Sequence, residues 1–327
     1  MTRTLAVLIG LLAAAFAAPA QEEEWKRLVN LGLAAEAAGN YAAGAAAYRE
    51  ALRVRETIDR RESRRAFALN GLGLMQQYQG QFADAEKSFQ SALAAISKAG
   101  EEGTANHAMV LANLATLSME TRQIPRAEKL ARQAMDIYSK VPDPDITKLA
   151  VLRNTLAELL ILTGRPAEAE PLVAEVVAAL DSQPSAWAEA GVARNNLAVA
   201  RVYQGRLAEA EDLLQRSLAE LEKHGGPEHP LLVRALYNLA LIQQRRKETK
   251  AAGATWNRTV DLAAKTMGIE HPVYGEILAG YAKYVREAGD KKRGKALAAR
   301  AAEIRRDSDR RNGVGAVIDA SALQQRQ

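Results

Sequence analysis

The chain has 327 residues, with 44 Lys or Arg against 39 Asp or Glu and a formal charge of +5. It contains no cysteine, which excludes disulfides, thiolate catalysis and cysteine metal sites. Aromatics make up only 5% of it, too few to interleave with the basic side chains as a stacking nucleic-acid surface requires, so nucleic acid is not an expected partner.

At the N-terminus, Arg3 precedes an apolar run from Leu5 to Ala15 and the small-x-small sequence Ala18-Pro19-Ala20. That order reads as a secretory signal peptide over residues 1–20, with a mature chain beginning near Gln21 in a bacterial periplasm or outside the cell. The run is too short for an ordinary membrane span, and no later window has the unbroken apolar length for one.

From there to residue 306 the sequence repeats. Gly32, Gly73, Ala115, Ala157, Ala198, Ala240 and Ala282 recur every 41 or 42 residues. A second ladder, Gly44, Ala85, Ala127, Ala169, Ala210, Ala252 and Gly294, follows each of them by 12. Around each pair the apolar residues fall at helical spacing. The second unit has Leu69, Leu72, Tyr78, Phe82, Phe89 and Leu93; the third has Leu111, Leu114, Ile124, Leu130, Ala131 and Ala134. The fourth has Leu152, Leu156, Leu172 and Val176, the fifth Leu197, Val202, Leu207, Leu214 and Leu218, and the sixth Leu236, Leu239, Trp256 and Val260. Between the ladders lies a turn position reading Gly39, Gly80, Arg122, Gly164, Gly205, Lys247 and Gly289. Glycine there suits a helix end needing positive φ, and Arg122 and Lys247 depart from the rule. Each unit is thus a helical hairpin whose small residues let two backbones approach. One hairpin cannot bury its stripe alone, whereas stacked hairpins share a continuous core.

These motifs resemble the tetratricopeptide repeat family. Gly80-Gln81-Phe82 to Ala85 is the family's Gly-x-aromatic-x-x-Ala run, and Gly39-Asn40-Tyr41 to Gly44 is a variant of it. The 42-residue step is similar to the kinesin-light-chain type. So is Leu236-Tyr237-Asn238-Leu239-Ala240, preceded by Gly226-Pro227-Glu228-His229-Pro230, a motif that returns as Gly268-Ile269-Glu270-His271-Pro272. The resemblance covers residues 25 to 306. It implies an all-α, right-handed superhelical solenoid of about seven hairpins, spanning 21–306, that binds a protein or extended peptide on its concave face without catalysis or cofactor.

The polar stretch Asp307 to Asn312 is expected to end the last helix, leaving 307–327 as a flexible tail with an apolar segment at Val317, Ile318 and Ala320. Basic residues cluster at Arg60 to Arg65, Arg245 to Lys250 and Arg286 to Arg311; a solvated helical face carries such clusters routinely, and the C-terminal excess suits an acidic protein or an anionic envelope surface. His229 and His271, one repeat apart and each followed by proline, read as opening turns of first helices and are too far apart to share a metal. Trp25 is expected to close the N-terminal end of the core, Trp187 to cover a seam between repeats, and Trp256 to be core.

The candidate ligand-binding residues lie on the first helices of repeats four to six: Asn154, Asn195, Asn196 and Asn238, with Arg153, Arg194, Arg234 and Tyr237 beside them. An asparagine can both donate to and accept from a peptide backbone, and it can equally bridge neighbouring first helices; composition and spacing leave both open. Tyrosine and arginine combine area with directed hydrogen bonds. The principal reading is a protein- or peptide-binding adaptor, and the alternative is a structural spacer within an envelope complex.

Overall fold

The computed structural model describes residues 2–54, 61–181 and 183–312. Among them are only helices and their connections, in two compact units divided after Glu102. The first unit holds α1 (Thr2–Ala37), α2 (Tyr41–Ala51), α3 (Arg61–Tyr78) and α4 (Phe82–Ala99). In the second, five hairpins follow: α5 (Ala105–Glu120) with α6 (Ile124–Tyr138), α7 (Ile146–Leu162) with α8 (Pro166–Leu180), α9 (Trp187–Tyr203) with α10 (Leu207–Gly225), α11 (Leu231–Arg245) with α12 (Thr249–Thr266), and α13 (Pro272–Glu287) with α14 (Lys291–Asn312). Each unit has the architecture of a helical-hairpin solenoid, with about seven repeats in all.

First and second helices are buried differently. On α6 only Ala127, Ala131, Ala134 and Tyr138 are buried, a single stripe. On α7 burial extends over Ala150, Leu152, Asn154 to Ala157 and Leu159 to Ile161, because that helix is packed on both sides. Within the second unit the first helices touch in series, α5 on α7, α7 on α9, α9 on α11 and α11 on α13, whereas successive second helices make no comparable contact among the described residues. First helices therefore form the tighter, inner face of this unit.

Both small-residue ladders mark the tight contacts. Ala127, Ala169, Ala210 and Ala252 have no exposed surface, nor do Ala115, Ala157, Ala198 and Ala240. In the first unit a Cβ on Gly73 would lie 2.7 Å from the Phe89 ring, and one on Gly44 2.7 Å from Met75 Sδ. The expected turn geometry holds at all seven positions, including φ of 58° at Arg122 and 61° at Lys247. At Lys247 the helix ends as it would with glycine: the N–H of Glu248 reaches back to the carbonyl of Gln243 at 2.9 Å. A left-handed conformation costs an L-residue roughly 1–2 kcal/mol, part of which glycine gives back as chain entropy. Lys247→Gly should therefore raise stability by about 1 kcal/mol, read from urea unfolding midpoints.

The three tryptophans stand as expected. Trp25 meets the Phe67 ring edge-on at 6.3 Å beside the first core cluster, Trp187 lies between His224 and His229 where α9, α10 and α11 meet, and Trp256 is fully buried. The chain's end differs from expectation. Rather than stopping at residue 306, α14 continues to Asn312, with Ser308 fully buried and the Arg311 guanidinium donating to the Glu270 carbonyl at 3.0 Å. Inward-facing Ser308 and that contact explain why a polar sequence stays helical. The segment at Val317, Ile318 and Ala320 lies outside the described residues, as does Arg60.

Candidate functional site

On the inner face of the second unit the asparagines form a connected ladder. Asn154 on α7 donates to the Glu189 carbonyl on α9 at 3.3 Å, and Asn196 on α9 donates to the Asn154 carbonyl at 3.4 Å. Asn195 donates to Asn196 Oδ1 at 3.5 Å and accepts from Asn238 Nδ2 of α11 at 2.8 Å. The four side chains are 3–9% exposed, so their amides join α7, α9 and α11. Asn154 Oδ1 has no hydrogen-bond partner among the described residues.

The arginines are engaged as well. Arg153 pairs with Glu175 of α8 at 2.8 Å, and Arg194 pairs with Asp181 at the end of α8; both thus turn toward a second helix rather than the inner face. Arg234 behaves differently. Its half-exposed side chain leaves α11, passes α9 and pairs with Glu158 of α7. Glu158 foremost, with Glu120 of α5 and Glu276 of α13 adding to it, raises the Arg234 pKa and holds it charged. Tyr237 meets the ring of Trp256 edge-on at 5.4 Å and is half-buried.

Residues of α9, α10, α11 and α13, with Lys247 in the turn after α11, line a pocket of about 350 Å³. Val199, Val202, Leu214, Leu241 and Ile242 supply its apolar wall, while Asn238, Gln244, Arg245, Lys247, Lys283 and Glu287 supply the polar one. Glu287 accepts from Gln244 Nε2 and lies 4.0 Å from Lys283 Nζ, so three cations share the rim with one carboxylate. An apolar recess of this size accepts one or two side chains, and its rim favours an anion beside them.

The comparisons with known proteins agree with this architecture. Residues 20–179 match the family described as a MalT-like TPR region, and residues 189–252 match a second, described as the tetratricopeptide repeat. The chain has a tetratricopeptide-repeat fold. Among solved structures, NprR in complex with its cognate peptide NprX is 13% identical, with a TM-score of 0.64 over 91% of this chain and 84% of that one. A Rap protein complexed with Competence and Sporulation Factor is also 13% identical, with a TM-score of 0.59 over 90% and 99%. BtubC (BKLC) from P. vanneervenii is 18% identical, with a TM-score of 0.51 over 71% and 92%. No curated protein matches the sequence.

Within the tetratricopeptide array, the pocket includes Asn238 alone of the eight candidate residues. The sequence reading missed Val199, Leu241, Arg245, Lys247 and Lys283. A signal was present: Val199, Leu241 and Lys283 each follow the small residue of a first helix, and Arg245 lies four residues further on, so they share one stripe. Asn238 belongs to both ladder and pocket. Asn238→Ala should cost about 1–3 kcal/mol of stability by leaving Asn195 Oδ1 buried and unpaired, a loss visible in thermal melts of the free protein. No group of His, Asp or Glu that could hold a metal occurs among the described residues, and no described helix is long and apolar enough to cross a membrane.

Proposed function

We propose that this array is a non-catalytic adaptor that holds an extended protein segment on the inner face of its second unit. The pocket lined by α9, α10, α11 and α13 carries the reading: an apolar recess with a net cationic rim is what an apolar side chain with an acidic neighbour would fill. NprR, a protein of similar fold, is known in complex with its cognate peptide NprX, which supports a peptide-like segment as the ligand here. The test places a photo-crosslinking phenylalanine at Val199 and, as a control, at Arg216, which is exposed on α10. Crosslinking from Val199 alone, to a segment that then binds as a synthetic peptide in calorimetry, is the expected result. Equal crosslinking from both positions would overturn the reading and favour a spacer that uses its outer surface.

We further propose that the repeats are of the kinesin-light-chain type, supported by the 42-residue step and the two His-Pro opening turns. Export is proposed as well, with cleavage before Gln21. In its support, 17 residues of α1 would remain, the length of α7 and α9, and the family match begins at residue 20. The mass of the protein recovered from its host should correspond to a chain beginning at Gln21; a chain retaining Met1 in the cytoplasm would refute export.

A further inference from the structure

We propose that His229 and His271 are paired, acid-sensitive caps that fasten the last two hairpins at neutral pH and loosen them on protonation. Each histidine precedes a proline at the start of a first helix, 42 residues apart. Proline has no N–H, so the next residue carries the helix's first orphan donor. His271 Nδ1 accepts the Val273 N–H at 3.1 Å, and His229 Nδ1 accepts the Leu231 N–H at 3.3 Å. An imidazole nitrogen accepts only through a free lone pair, so both rings must be neutral with the proton on Nε2. Protonation places a hydrogen on Nδ1 and sets donor against donor.

Burial makes the conflict hard to relieve. His229 is 5% and His271 7% exposed, so neither ring can turn to water while its hairpin stays packed. His229 lies against Trp187 of α9 at 5.2 Å, and a Cβ on Gly225, at the end of α10, would come within 2.7 Å of the ring. Several ionisable groups on the surrounding elements pair with one another. Near His229, Glu228 binds Lys265 of α12, and His224 of α10 lies 3.4 Å from Glu220. Near His271, Glu270 binds Arg300 of α14, which also binds Glu303, and the Glu270 carbonyl accepts from Arg311.

The sign follows from linkage. An ordinary imidazole titrates near about pH 6.5. The unfolded chain takes the proton freely, while the capped fold needs the neutral ring, so the caps' contribution is present above that pH and is lost as pH falls through it.

Hydrogen exchange of the full chain, followed by mass spectrometry at about pH 7.5 and about pH 5.5 and corrected for intrinsic rates, tests the idea. In the wild type, the opening turns at residues 231–236 and 273–278 should exchange about tenfold faster at the lower pH. The His229→Asn/His271→Asn protein keeps a capping acceptor that does not titrate in this range, and it should show no such change. His107 and His224 are common to both proteins, so their effects cancel. His271→Asn alone should protect 273–278 while 231–236 still responds, which gives an internal reference should the double variant fold poorly. Equal pH responses in wild type and variant, or none in the wild type, would overturn the proposal.

Discussion

Replacing Trp256 with alanine is expected to remove about 3–5 kcal/mol of stability, the usual cost of deleting a large buried aromatic. Trp256 is fully buried on α12. Its ring takes Tyr237 of α11 edge-on at 5.4 Å and Tyr281 of α13 at 6.0 Å, and its Nε1 donates to Gln244 Oε1 at 3.4 Å. Gly280 has no side chain because a Cβ there would lie 2.6 Å from this indole. One side chain thus joins three helices of two hairpins. Hairpins in a linear array depend on nearest neighbours, so the loss should appear first as separate unfolding of the last two. Urea unfolding followed by circular dichroism measures the effect. A loss below about 1 kcal/mol would mean that Tyr237 and Tyr281 close over the cavity.

The fold was legible because its causes are local and repeated. Small residues at Ala198 and Ala210 state where two backbones meet, and this holds in every repeat whatever the neighbours are. The turns were legible for the same reason: at Arg122 and Lys247 the geometry set by five glycines elsewhere was kept although the residue type was not. The site was less legible. Asn195 and Asn238 were both named as candidates, yet whether such side chains face a ligand or each other depends on the offset between α9 and α11, which no single repeat encodes. Likewise Arg153 and Arg234 both lie on first helices, four and six residues before Ala157 and Ala240, but one turns to α8 and the other passes α9 to reach Glu158, two hairpins away. The end of α14 was misplaced because Asp307 to Asn312 looks fully polar, whereas only the packed array shows that Ser308 points inward.

Reversing charge on the pocket rim, as Arg245→Glu with Lys283→Glu, is expected to weaken binding of the captured segment about 10- to 100-fold, or ~1.4–2.8 kcal/mol. Both side chains line the pocket, from α11 and α13, and Glu287 is the only carboxylate among its lining residues. Two reversals turn a net cationic rim into an anionic one, so an acidic segment would meet repulsion where it met attraction. The apolar wall of Val199, Val202 and Leu241 is untouched, which leaves the anchor contact in place. Such a change acts through long-range attraction, so the gap between wild type and variant should narrow as salt rises, because the Debye length falls from about 10 Å at 0.1 M to about 3 Å at 1 M. Calorimetry with the synthetic segment at two salt concentrations measures both quantities, with melting curves confirming that the exposed substitutions leave the fold intact. Leu241→Asp in parallel separates the two halves of the argument, since it should abolish anchoring at any salt. If Leu241→Asp weakens binding and the charge reversal does not, the pocket holds an apolar side chain without an acidic neighbour. If neither has an effect, the segment lies elsewhere on the array.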